Sequence, residues 1–131
     1  MHRAQLCNEV FTSDLEFARF KLFDFGYALG LAEGDLAMLK TVASMLRDQI
    51  AIDLPVVRRL CAQRDCLLLV RALHRLKGSL SYLGPSPAYR ACERLESLAA
   101  QDLASELDSG ESQLMEELDA LLQELLQLAC I

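Results

Sequence analysis

Leu114, Leu118, Leu121, Leu125 and Leu128 step along the end of the chain by four, three, four and three residues. That spacing puts five leucines on one face of a helix over about 111–129 and does not fit the two-residue period of a strand. Leu69, Leu73, Leu76, Leu80 and Leu83 form a second stripe of the same period. Gly84 then offers a left-handed helix end, Pro85 blocks continuation, and Ser86 with Pro87 starts another helix. That helix reads as 87–107 and buries Ala88, Cys92, Leu95, Ala99 and Leu103. Upstream, residues 35–62 carry Leu39, Val42, Met45, Leu46, Ile50, Leu54, Val57 and Leu60 at helical spacing, with Pro55 predicting a bend or short break. Asp65 is placed to cap the helix that follows. Four such helices with short connections bury their stripes as an antiparallel bundle, and no stretch reads as a strand.

The chain is long enough for one domain to hold such a bundle: 131 residues, 53% of them hydrophobic, with no Trp. The net charge is −6 and the sequence pI about 4.8, which argues against a duplex nucleic-acid binder, since that needs a basic stripe. The longest uncharged, strongly apolar run, Cys66 to Val70, is far short of the roughly 20 residues of a bilayer span. Glu9, Asp14 and Glu16 interrupt any signal-peptide core. Cys7, Cys61, Cys66, Cys92 and Cys130 form no CxxC pair, and their odd number fits reduced thiols in a cytoplasmic protein, serving as small core hydrophobes. Two histidines and scattered cysteines give no metal-ligand spacing, so no metal or other cofactor is expected.

All five phenylalanines lie within the first 25 residues. Ser13 with Glu16 makes a capping-box signature, and Phe11, Leu15, Ala18, Leu22 and Phe25 form a helical stripe. The expected architecture is therefore an all-α four-helix bundle over 23–131 with an additional N-terminal helix in an extension over 1–22. Phe17 and Phe20 fall off the stripe. They read either as wedged between bundle helices or as facing a second chain, which makes a homodimer through this aromatic helix one expectation.

The chemistry concentrates around His74. On a helix of 3.6 residues per turn, His74, Lys77, Gly78 and Ser81 share one face turned away from the leucine stripe. A mid-helix glycine costs about 1 kcal/mol relative to alanine, and at Gly78 it would let a partner approach the imidazole one turn away. It is also what two closely packed helices require. Lys77 can neutralise an anionic group, while Arg71 and Arg75 make the surroundings basic. A neutral exposed imidazole is nucleophilic near physiological pH, and a phosphoryl group is the electrophile that a flanking lysine favours.

The residues His74, Leu76, Lys77, Gly78, Ser79, Leu83 and Gly84 fit H-x-L-K-G-S followed by L-G, and Cys92, Leu95 and Glu96 fit C-x-x-L-E. In these runs the chain resembles the histidine-containing phosphotransfer (HPt) domains of bacterial and plant phosphorelays, over about residues 23–126. Gly34, Asp35 and Asp65 also sit where that family places such residues. Leu80 departs from the family's usual small residue and Pro85 from its frequent alanine. The resemblance implies a carrier that takes a phosphoryl group on His74 from one receiver domain and passes it to another. In it, Lys77 holds the phosphoryl oxygens and Gly78 leaves room for the receiver's active-site loops; Arg71 and Arg75, by their charge, and Ser81, by its place on the His74 face, are the further residues expected to meet the partner. The implied partners are receiver domains of a hybrid kinase or response regulator, with any magnesium brought by the receiver; neither nucleic acid nor membrane is implied. No phosphate loop is present, so no autonomous kinase activity is expected. The alternatives are a helical module that docks or sequesters a receiver or kinase without phosphate turnover, and the phosphoacceptor domain of a chemotaxis-type kinase.

Overall fold

Asp24, Asp35, Asp65 and Ser86 each turn a side-chain oxygen onto the backbone N–H three residues on, and each begins a helix. In the computed structural model, which describes residues 20–131, these caps open α1 (Phe25–Leu31), α2 (Leu36–Gln63), α3 (Cys66–Leu80) and α4 (Pro87–Ala100). The last helix, α5 (Leu107–Ala129), follows a short 3-10 turn over Ala104–Glu106. Among the described residues no strand occurs.

Helices α2 to α5 form a ring in which each packs on its neighbours in sequence and α5 closes back on α2. This is the expected antiparallel bundle. Its interior holds both leucine stripes, with Leu69, Leu73, Leu76, Leu80, Leu114, Leu118, Leu121, Leu125 and Leu128 buried. Ala88, Cys92, Leu95 and Ala99 face them from α4, and Leu39, Leu46, Ile50 and Val57 from α2. Gly110 lets α5 approach α4, since a Cβ there would meet Leu95 Cδ1 at 2.9 Å and Leu98 Cδ1 at 3.0 Å.

Four expectations need correction. Of the bend or short break expected at Pro55, the break does not occur: helix α2 runs continuously through it. The carbonyl that proline leaves without a partner belongs to Ala51, and both residues are exposed, so water can satisfy it. Helix α4 stops at Ala100 because Asp102 takes a left-handed conformation (φ 57°) and Leu103 N–H closes on Leu98 C=O at 3.0 Å. Leu103 thus lies outside the helix, and α5 begins four residues earlier than its stripe suggests. Met45 is not a core residue; it faces outward from α2.

The fourth concerns the aromatic segment. Residues 20–24 are not helical, so Leu22 and Phe25 do not share a helix face. The Lys21 and Leu22 N–H groups donate instead to the Glu124 carboxylate on α5, at 3.0 and 2.9 Å. Asp24 N–H donates to Leu83 C=O at 3.0 Å. Phe20 is buried against Phe23 and Phe25, with ring centroids 5.3 Å apart in both pairs. It therefore does not offer a face to a second chain. Phe11, Leu15, Phe17, Ala18 and the Ser13–Glu16 signature lie outside the described residues.

Candidate functional site

The register of α3 sends Leu69, Leu73, Leu76 and Leu80 inward and so turns His74 to the surface, where its side chain is 74% exposed. Helix α4 supplies the other half of the site. Cys92 is buried against α3, its thiol donating to Leu73 C=O at 3.3 Å. One turn further, on the same face of α4, Glu96 reaches the surface edge of the α3–α4 seam. Its Oε2 lies 3.3 Å from His74 Nδ1 and its Oε1 2.8 Å from Lys77 Nζ. One carboxylate thus bridges the imidazole and the ammonium.

The bridge has a chemical consequence. A carboxylate accepts hydrogen bonds, so it favours the tautomer with the proton on Nδ1 and leaves the lone pair on Nε2. The Nε2 side is the solvent side. Lys77 is held firmly as a cation, because its hydrogen bond to Glu96 raises its pKa above the ordinary lysine value. Its side chain is largely covered rather than free in solvent.

Gly78 is exposed, and a Cβ built on it meets nothing within 4 Å. Among the described residues no helix packs on it, so close packing between them is not the reason for a glycine there. Arg71 and Arg75 join Val70, His74 and Glu96 around one shallow depression. Ser81 is the first residue of the 3-10 turn Ser81–Leu83 rather than part of α3, and its hydroxyl donates to Gly78 C=O at 2.6 Å. Gly84 ends that turn at φ 74°, where a Cβ would crowd Tyr27 Cδ2 at 3.1 Å.

Arg71, His74, Arg75, Lys77 and Gly78 all lie on α3; their spacing in the sequence put them on that helix. It did not reveal the role of Glu96, four residues after Cys92; the signal available was that an acidic residue one turn beyond a core residue of α4 falls on the face toward α3. The two buried thiols are not reactive groups: burial pushes Cys61 and Cys92 up to about 12, which keeps both protonated and inert. Among the described residues no three His, Cys, Asp or Glu side chains gather as metal ligands do.

Among the described residues one imidazole stands at the surface of this helical bundle, beside a lysine and an exposed glycine. The Hpt domain family model matches residues 41–128, and the chain belongs to that family. No curated protein and no solved structure matched it. Hpt domains are phosphocarrier modules of phosphorelays, act with receiver domains and are not kinases. Among the described residues no helix is long and apolar enough to cross a membrane.

Proposed function

We propose that His74 is the phosphoacceptor of a relay step between two receiver domains. The Nε2 lone pair attacks the phosphorus of a receiver's aspartyl phosphate; the N–P bond forms as the acyl P–O bond breaks, and the aspartate leaves as its carboxylate. Nδ1 keeps its proton, and the positive charge that develops on the ring faces Glu96. The reverse sequence, on a second receiver, returns His74 to its starting state. Lys77 meets the charge of the transferring phosphoryl oxygens, and Gly78 leaves the path to Nε2 clear for a receiver's active-site loops. Arg71, Arg75 and Ser81 serve as contacts around that path.

The observation that carries this reading is the 3.3 Å approach of Glu96 to Nδ1 on an imidazole otherwise open to solvent. Sequestration without turnover has no use for an oriented nucleophile. The test is incubation with a panel of phosphorylated receiver domains. The expected result is an acid-labile, alkali-stable label that is absent from His74→Gln, with the circular dichroism of that variant unchanged. A label that survives His74→Gln, or none from any receiver, overturns it.

A further inference from the structure

Within Cys66–Leu80 helix α3 carries Arg71, His74, Arg75 and Lys77 and no acidic residue, in a chain whose net charge is −6. The acid that answers them comes from α4 and is fully engaged, since the two oxygens of Glu96 go to His74 Nδ1 and Lys77 Nζ. Arg58 and Arg64 have carboxylates of their own in Glu111 and Asp108. Among the described residues Arg71 and Arg75 have none. They stand four residues apart, one turn of α3, where two like charges repel and weaken a helix. Two exposed guanidinium groups held together at that disadvantage, with no counterion in the fold, make a place for an anion.

The depression beside the imidazole is where that anion fits. Its walls are Val70, Arg71, His74, Arg75 and Glu96, and its volume of about 420 Å³ has room for a phosphoryl group and several waters. Lys77 is not one of its walls. Side chains on a helix lean toward its N-terminus, so the imidazole leans toward the turn of Arg71 and away from that of Lys77. With Nδ1 held at Glu96, a group on Nε2 projects away from that carboxylate. The positive charge of a phosphorylated ring is then answered by Glu96, while the charge of about −2 on the phosphoryl oxygens is left to the two arginines.

We propose that Arg71 and Arg75 form a phosphoryl-holding pair that keeps the phosphohistidine of this chain intact between its two transfer steps. The proposal rests on His74 as the phosphoacceptor and deepens that reading: Lys77 acts on the phosphoryl group in transit, the arginine pair on the group at rest. Each guanidinium presents a planar fork that donates paired hydrogen bonds to phosphoryl oxygens. The step they oppose is hydrolysis. A water oxygen bonds to phosphorus as the P–Nε2 bond breaks, the electron pair of that bond returns to the ring, and the water gives one proton to solvent. Inorganic phosphate and neutral imidazole remain. In a loose transition state negative charge drains from the phosphoryl oxygens toward the leaving ring, so cations gripping those oxygens favour the ground state and slow the loss.

The lifetime of the phosphoryl group tests this without any receiver. Phosphoramidate phosphorylates imidazoles directly; the full chain is treated with it, freed of reagent and followed by ³¹P NMR at the signal that is absent from His74→Gln. Arg71→Gln with Arg75→Gln should shorten the lifetime by about tenfold, the order of losing one hydrogen-bonded charge contact. The same pair should move the ³¹P titration of the bound group to higher pH, because two cations no longer favour its dianion. Helical circular dichroism should stay unchanged, and Arg71→Lys with Arg75→Lys should restore part of the lifetime. Arg59→Gln with Arg90→Gln, at two other exposed arginines, removes the same charge and should leave both readings at the parental value. A parental lifetime and titration in the Arg71 and Arg75 variant overturn the proposal. If exchange with receivers slows in that same variant, the arginines belong to the receiver contact instead. An equal loss in the Arg59 and Arg90 variant also overturns it, since the effect is then one of net charge. The role of His74 is decided apart from these results, by whether receivers place a label that His74→Gln lacks.

Discussion

At Gly78 helix propensity and function pull in opposite directions. With open space where a Cβ would stand, Gly78→Gln should stabilise α3 by several tenths of a kcal/mol, read as a higher urea midpoint. It should also block exchange with receivers while affecting a small donor such as acetyl phosphate much less; exchange at the parental rate removes the access argument. Glu96→Gln tests the tautomer. An amide can accept from or donate to Nδ1, so the ring loses its fixed orientation. Imidazole ¹⁵N shifts should then show mixed tautomers and transfer should slow by about tenfold, consistent with losing one orienting partner. Parental shifts and rates would show that Glu96 serves only Lys77. Lys77→Ala should slow transfer in both directions by 10- to 100-fold, on the order of losing one charge-stabilising donor. Because Lys77 pairs with a largely covered carboxylate, this variant should also lose about 1 kcal/mol of stability, which Lys77→Arg should largely restore. His74, Lys77 and Gly78 were legible in the sequence because one helix carries them at fixed spacing. Glu96 was not, because its role depends on how deeply α4 sits against α3.

The helix starts were readable in advance for a similar reason. A capping Asp or Ser acts on a backbone N–H three residues away, and neither Asp65 nor Ser86 needs any tertiary partner to do so. Ends were harder. Arg64 and Asp102 close α2 and α4 in left-handed conformations usually left to glycine, and Arg64 is steadied by paired hydrogen bonds to Asp108 at 2.9 and 3.1 Å from a helix 44 residues on. No local pattern announces a contact of that range. Pro55 shows the opposite failure, a strong local signal for a break that the continuous helix does not take. Its cost should nevertheless remain in the stability of α2. Pro55→Ala restores an N–H for the Ala51 carbonyl at an exposed site, so it should stabilise the protein by roughly 1–3 kcal/mol. Chemical denaturation reads this directly, and an unchanged midpoint would mean that solvent already satisfies the carbonyl at no cost.

The ring of four helices shares one core, and its buried thiols report whether it opens as a unit. Cys61 sits in α2 and Cys92 in α4, both fully covered, while Cys130 is exposed. Burial raises the first two from 9.0 to about 12. The native state therefore keeps protons that the unfolded chain releases above pH 9, and the stability these thiols contribute is full below that value and is lost as pH rises toward 12. Two outcomes follow for a thiol reagent at pH 8 under native conditions. Cys130 should react at once, and Cys61 and Cys92 should react slowly at one common rate, because uncovering either requires the helices to separate. Raising the pH from 9 to 10.5 should speed that common rate beyond the reagent's own dependence on thiolate. If Cys92 reacts well ahead of Cys61, α4 detaches on its own. The seam that carries His74, Glu96 and Lys77 would then be the weakest in the bundle, and the site's geometry would be held by α3–α4 contacts rather than by the fold as a whole.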